Sequence, residues 1–240
     1  MKFFIMVGLG TFLSASGIAQ SNPVVVELFT SQGCSSCPAA DKNLSEIMKN
    51  SKDEGSEVLG LSFHVDYWDN IGWKDPYSSR QFADRQRMYA QRLKLNSIYT
   101  PQMIVNGNDE FTGSDKTKAQ LAIQEARKRT PAFHITISDL TTLKDKVVFR
   151  YSVDAEPQGE QLNVAIVERN VENYVSKGEN AGKRLHHDNV VRVFKTICLK
   201  QSDEITLAFA SIAKNASVIL YVQDNQLIVR AVTSKSMKLQ

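Results

Sequence analysis

Cysteine, histidine and tryptophan are all scarce in this chain: three, four and two in 240 residues. Three cysteines is an odd count, so one thiol is left over, and Cys198, inside the apolar run 190–199, reads as a buried small hydrophobe. A structural zinc site wants a second Cys/His pair at ligand spacing. Cys198 and the histidines His64, His134, His186 and His187 show no such pattern. A surplus of one charge is lacking too, since 29 basic and 26 acidic residues leave a net charge of +3. Only Arg80, Arg85, Arg87, Arg92 and Lys94 cluster, with few aromatics among them. That cluster reads as a solvated helix face, and nucleic acid is not an expected partner.

Long apolar runs are missing as well. The N-terminal stretch is shorter than the roughly 20 residues that a membrane span needs and is broken by Gly, Thr and Ser. With Lys2 ahead of it and the small residues Gly17 and Ala19 before Gln20, it reads as a secretory leader over residues 1–19. The expected location is therefore secreted or periplasmic, with no stable membrane insertion once the leader is removed. No cysteine follows the apolar core, so lipid attachment there is not indicated.

What the chain does have is concentrated in residues 24–38, VVVELFTSQGCSSCP. Residues 24–29 are β-branched and apolar, too short for a helix, and read as a strand buried on both faces. After the turn at 30–33, Ala40, Leu44, Ile47 and Met48 fall at i, i+4, i+7 and i+8 of a helix. A strand therefore delivers Cys34 and Cys37 to a helix N-terminus, where unpaired N–H groups and about half a unit of positive charge favour thiolate over thiol. On this reading Cys34 attacks and Cys37, one turn further in, resolves. Half of a zinc knuckle and an inert stabilising disulfide are the other readings of the same spacing. Cu(I) held between two soft thiolates is an alternative use of the pair.

Residues 58–65 read as a second buried strand, parallel to the first, so His64, Asp66 and Trp68 should emerge beside Cys34 at the strand ends. That segment is either a loop packed by its own aromatics or a wall of the site. Ser78 or Ser79 caps a helix to about Leu95, with Phe82, Met88, Tyr89 and Leu93 inward. A strand over 102–105 follows Pro101, and Asn106-Gly107 turns the chain back into 110–112. A last helix runs from Ser114 to Arg129, with Leu121, Ala122, Ile123 and Ala126 apolar. From Ala132 onward, seven short runs (133–140, 147–153, 162–168, 190–199, 205–209, 218–223 and 227–232) suggest a β-sandwich. The long connection 170–189 is expected to pack near the cysteines. Its neighbours His186 and His187 point to opposite sides of an extended chain, which argues against a metal site.

The strand, C-x-x-C and helix resemble the opening of a thioredoxin fold. Together with ELFTSQGCSSCP, the segments FHVDYWDNIGWKDP (63–76), YTPQMIVNG (99–107) and ENAGKRLHHDNVVR (179–192) resemble a family of secreted thioredoxin-like bacterial proteins known as domain of unknown function family 1223. The resemblance implies an α/β thioredoxin-like domain over 20–130 followed by an all-β sandwich-like domain over 131–240. By analogy it implies an exported thiol–disulfide oxidoreductase-like protein acting on protein or small-molecule thiols and disulfides, without a cofactor. It places Pro101 as a cis-proline facing the cysteines, with Thr100 presenting backbone to substrate. It places Glu27 beneath them as proton acceptor for Cys37. A non-catalytic secreted binding module is the remaining alternative.

Overall fold

The computed structural model describes residues 23–53, 57–210 and 215–238. The expected leader, 1–19, lies outside the described residues. The first half follows the expected order: β1 (Val24–Thr30), α1 (Cys37–Asp53), β2 (Val58–His64), α2 (Arg80–Leu93), β3 (Gln102–Val105), β4 (Asp109–Thr112) and α3 (Lys116–Arg127). Strand β1 lies between parallel β2 and antiparallel β3. Its alternation divides the core. Val24, Val26 and Leu28 pack with the residues of α1 and α3, while Val25 and Phe29 join Phe82 and Tyr89 of α2. Helix α1 lies so close on β2 that a Cβ at Gly60 would sit 2.6 Å from Met48 Sδ and 2.9 Å from Leu44 Cδ1.

The second half adds β5 (Ile135–Thr142), β6 (Lys146–Val153), β7 (Gln161–Glu168), β8 (Val171–Tyr174), β9 (Arg184–His187), β10 (Val190–Cys198), β11 (Ser202–Ala208), β12 (Ala216–Gln223) and β13 (Val229–Ser236). Here the expected architecture is overturned. A thioredoxin-like unit followed by a sandwich of its own would leave the outer edge of β2 within the first unit. Instead β10 pairs with β2 in parallel at Val190 and Ser62. Ser62 N–H donates to Asn189 O at 2.9 Å, and Asn189 Nδ2 donates to Gly60 O at 2.8 Å. One mixed eight-stranded sheet results, in the order β13-β12-β7-β10-β2-β1-β3-β4. Strands β8-β9 form a two-stranded ribbon, and β11-β6-β5 a separate three-stranded layer. That layer packs on Leu162, Val164 and Ile166 of β7 and Val218 and Leu220 of β12. The opposite face of the same strands, Ala165, Val167, Ile219 and Tyr221, shares one core with Phe29, Phe63 and α2. The protein is thus a sheet-rich mixed fold in which both halves of the sequence contribute to a single central sheet.

Local expectations met mixed outcomes. Ser79 caps α2, accepting from Gln81 N–H at 3.2 Å, and Lys94 closes it in the left-handed region at φ 55°. Along α2, however, Met88 is 46% exposed, and Arg85 and Gln86 occupy the inward face. The arginine cluster is therefore not wholly a solvated face. Leu121 of α3 is likewise exposed, with Ala119, Ala122, Ile123 and Ala126 facing in. Cys198 is exposed rather than buried, because the alternation that buries Leu199 turns its neighbour to solvent. Among the described residues no helix is long and apolar enough to cross a membrane. The connection 170–189 contains the antiparallel ribbon β8–β9, and β9 packs against α1.

Candidate functional site

Where β1 ends, the chain turns through Ser31–Gly33 and enters α1 at Cys37. Cys34 N–H donates to Ser31 O and Cys37 N–H to Cys34 O, both at 3.2 Å. These two turns bring the cysteine Cα atoms to 5.4 Å, and the pair forms a disulfide. Ser35 and Ser36 between them are exposed, whereas Cys34 is 1% and Cys37 0% exposed. Segments distant in sequence are hydrogen-bonded to the backbone of this turn. Asn180 Nδ2 donates to Gln32 O at 2.9 Å and to Cys34 O at 2.8 Å. Glu179 Oε2 accepts from Ser35 N–H at 2.9 Å. The Ser35 hydroxyl and N–H hold the Glu179 carboxyl below its usual range. The connection 170–189 is therefore fastened over the cysteine turn, as its length suggested.

The second flank is the loop after β2. Trp68 packs on Gly33, where a Cβ would lie 3.1 Å from Trp68 Cβ. Trp68 Nε1 donates to Thr100 Oγ1 at 2.8 Å. The Thr100–Pro101 peptide bond is cis. Gly113 has Leu28, Ala40 and Pro101 around it, at 2.7, 3.0 and 3.5 Å from a Cβ placed there. Trp68 thus ties the residue before Cys34 to the residue before Pro101, and Pro101 stands beside the first turns of α1.

Behind the disulfide lies a buried polar group. His64 Nδ1 meets Asp75 Oδ2 at 2.7 Å. The same oxygen accepts from Gln32 N–H at 2.8 Å, and Oδ1 accepts from Tyr77 N–H at 2.9 Å. Burial acts to lower the proton affinity of His64, but the charge and hydrogen bond of Asp75, with a contribution from Asp41, carry it above the ordinary imidazole range. For Asp75, burial acts upward, and His64 with the two backbone N–H groups carries it below the carboxylate range. The shifts reinforce an imidazolium–carboxylate pair. Asp69 shapes the loop that brings Asp75 here, accepting from Asp75 N–H at 3.2 Å and Ser78 Oγ at 2.7 Å.

The sequence matches the family described as "Protein of unknown function (DUF1223)" over residues 25–223. The chain belongs to the DUF1223 family. A crystal structure of an Agrobacterium tumefaciens protein, a structural genomics target, is similar at 26% identity with a TM-score of 0.64, covering 92% of this chain and 96% of that one. A beta-glucosidase from Kluyveromyces marxianus shares 13% identity over 45% of this chain and 14% of its own, with a TM-score of 0.24, too slight a likeness to carry an argument. No curated protein matches the chain.

In this DUF1223 chain the structure brings together Cys34, Cys37, Trp68, Thr100 and Pro101, with His64 in the layer behind. Asp66 stands apart, half-buried in the turn where its carbonyl accepts from Asp69 N–H at 3.0 Å. Glu27 is displaced altogether. Its parity in β1 is that of Val25 and Phe29, so it points to the α2 side of the sheet, opposite α1 and Cys37. There Arg85 grips it in a bidentate pair at 2.5 and 2.8 Å, and Tyr89 OH donates to it at 2.5 Å. The assignment of Glu27 as proton acceptor for Cys37 is corrected: it neutralises a buried arginine. Gln32, Asp41, Asp75, Asn180 and His187 are the site residues that reading the sequence missed. Asp41 had a signal, a carboxylate four residues after Cys37 on the apolar stripe of α1. The others come from turns and from the second half of the chain. Among the described residues no group of His, Cys, Asp and Glu is arranged to hold a metal ion.

Proposed function

We propose that this protein is an exported thiol–disulfide exchange protein in which Cys34 and Cys37 cycle between disulfide and dithiol. The observation that supports this reading best is the environment of the disulfide. It stands at a helix N-terminus, and the buried side chains of Asp41, His64, Asp75 and His187 gather behind it. The partner is a thiol or disulfide, borne by a protein or a small molecule. An incoming thiolate attacks Cys34 Sγ, the Cys34–Cys37 bond breaks, and Cys37 leaves as a thiolate that takes up a proton. A second thiol then displaces the first partner from Cys34, releasing it as a mixed disulfide with the second thiol, and Cys34 leaves as a thiol. The stretch 1–19, read from sequence as a secretory leader, favours action outside the cytoplasm.

Because both sulfurs are covered, exchange requires the Asn180 turn to lift from the cysteine turn. Asn180→Ala removes two hydrogen bonds worth about 0.5–1.5 kcal/mol each. Oxidised Asn180→Ala protein incubated with excess glutathione is expected to form the mixed disulfide at Cys34 about tenfold faster than the unmodified protein, as followed by mass spectrometry after acid quench. Absence of glutathione on Cys34 in both proteins contradicts the proposal.

A further inference from the structure

Four titratable side chains behind the disulfide, Asp41, His64, Asp75 and His187, are each 3% exposed or less, and exchange as described above leaves their chemistry unused. Asp41 lies on α1 one turn beyond Cys37, and both belong to its buried stripe with Ala40 and Leu44. Residues i and i+4 on a helix are neighbours, with Cβ atoms about 5–6 Å apart, and helical side chains lean toward the N-terminus. Helix geometry therefore puts Asp41 on the face of α1 that carries Cys37, one turn away. Its Oδ2 is engaged, accepting from Thr30 Oγ1 at 3.3 Å and lying 3.4 Å from His187 Nδ1. Its Oδ1 is buried and has no hydrogen-bond partner among the described residues. An unpaired buried carboxylate oxygen is costly. On the helix face shared with Cys37, whose sulfur must gain and lose a proton, it is an open acceptor.

Gln32 fixes how His187 faces this carboxylate. Trp73 Nε1 is a donor only, and Gln32 Oε1 accepts from it at 3.2 Å. The amide is thereby oriented with Nε2 toward His187 Nε2, 3.3 Å away. An amide nitrogen only donates, so His187 Nε2 accepts and Nδ1 carries the N–H, 3.4 Å from Asp41 Oδ2 without making a hydrogen bond of good geometry. His64 stacks edge-on against His187 with ring centroids 4.7 Å apart. The charged and titratable groups around Asp41 are thus His187 from β9, His64 from β2 with Asp75 beyond it, and Arg192 of β10 acting on His64 from farther off.

We propose that Asp41 is the proton acceptor and donor for Cys37, and that His187 is a positioning residue that holds its carboxylate. The inference rests on the exchange reading. When the reduced pair has attacked a disulfide through Cys34, the Cys37 thiol gives its proton to Asp41 Oδ1. The Cys37 thiolate then attacks Cys34 Sγ, the bond from Cys34 to the partner breaks, and the partner leaves as a thiolate that takes its proton from solvent. The two electrons of the dithiol have passed to the partner. In the reverse direction Asp41 returns the proton to the departing Cys37, whose fully buried sulfur is poorly placed to hold a charge.

The test is a single turnover of reduced full-length protein with glutathione disulfide, quenched with an alkylating reagent and resolved by mass spectrometry. General acid–base catalysis contributes about 10²–10⁴-fold. Asp41→Asn is therefore expected to form the glutathione adduct on Cys34 at the normal rate and to lose it about a hundredfold more slowly at pH 7. The deficit should shrink as pH rises, because hydroxide increasingly removes the Cys37 proton without Asp41. A merely structural role would not produce that pH-dependent rescue. In the unmodified protein, decay of the adduct should be nearly flat from pH 8 to pH 6, whereas an unassisted thiol with an ordinary pKa of about 8.5 loses about tenfold per pH unit. This second measurement stands even where the variant does not fold. Normal adduct decay in Asp41→Asn at pH 7, or a tenfold fall per pH unit in the unmodified protein, overturns the role of Asp41 and leaves exchange intact. Absence of any Cys34 adduct in the unmodified protein overturns the exchange reading itself.

Discussion

Cys37→Ala is expected to capture disulfide partners as stable mixed disulfides, and Cys34→Ala to capture few. The two sulfurs differ in position more than in burial. Cys34 lies in the turn ahead of the helix, beside the exposed Ser35 and Ser36, with Ser36 Oγ 3.3 Å from its sulfur. Cys37 is the first residue of α1, and its stripe continues into Ala40 and Leu44, both packed in the core. An attacking partner or a leaving one reaches Cys34 once the Asn180 turn lifts; reaching Cys37 would mean dismantling the helix start. Without Cys37 the adduct on Cys34 has no internal thiol to displace it, so it should survive non-reducing electrophoresis. Similar yields from both variants would contradict this division of labour.

Glu27→Gln is expected to cost about 3–5 kcal/mol of stability, the usual loss when one member of a buried ion pair is removed. Disulfide exchange should continue at the normal rate in whatever fraction stays folded. Arg85 is left with nothing to neutralise it: both its direct bonds to Glu27 go to a carboxylate, and its remaining partners are Tyr89 OH at 3.0 Å and Gln223 Oε1 at 3.0 Å. The guanidinium is also enclosed by the rings of Phe63, Tyr89, Phe194 and Tyr221, with centroids 4.8–5.7 Å away. Those rings stabilise a cation but do not cancel its charge. Replacing both partners together, as in Glu27→Leu with Arg85→Met, should recover much of the loss, since no isolated charge then remains. Urea denaturation of the three variants measures both effects. A slowed adduct decay in Glu27→Gln at unchanged stability would return Glu27 to the cysteines.

Glu27 shows where sequence reading reaches its limit. That a carboxylate inside VVVELFT, if buried, must be protonated or paired was legible, because an unpaired charge in a buried strand is too costly. Which face of the sheet it took was a matter of parity with Val25 and Phe29, and parity is readable only once α1 is known to cover the other face. The central sheet was missed for a related reason. Strand-forming runs do not name their partners, and the seven runs after Ala132 looked alike. One distinction was present all the same. Residues 162–168 and 218–223 read LNVAIVE and VILYVQ, apolar on successive positions and buried on both faces. Runs of that kind belong to the middle of a sheet covered on two sides. By contrast β6 alternates buried and exposed, as an outer layer should. The helices were legible from caps and spacing, with errors at Met88 and Leu121, where apolar character was taken for burial. Of the site, the cysteines followed from a local motif and Thr100–Pro101 from the family resemblance. His187 and Asn180 arrive across more than 140 residues of chain, by hydrogen bonds that no spacing encodes.

The central claim, that Cys34–Cys37 is a working redox couple, is tested most directly by equilibrating the protein in glutathione or dithiothreitol buffers of graded poise and measuring the fraction oxidised. A structural disulfide of a secreted protein has a potential below about −300 mV, whereas exchange proteins lie between about −270 and −120 mV. The account predicts a value in that upper range, reached reversibly from both the oxidised and the reduced side. A potential below about −300 mV, with no exchange on either side, would show the disulfide to be a staple and contradict it.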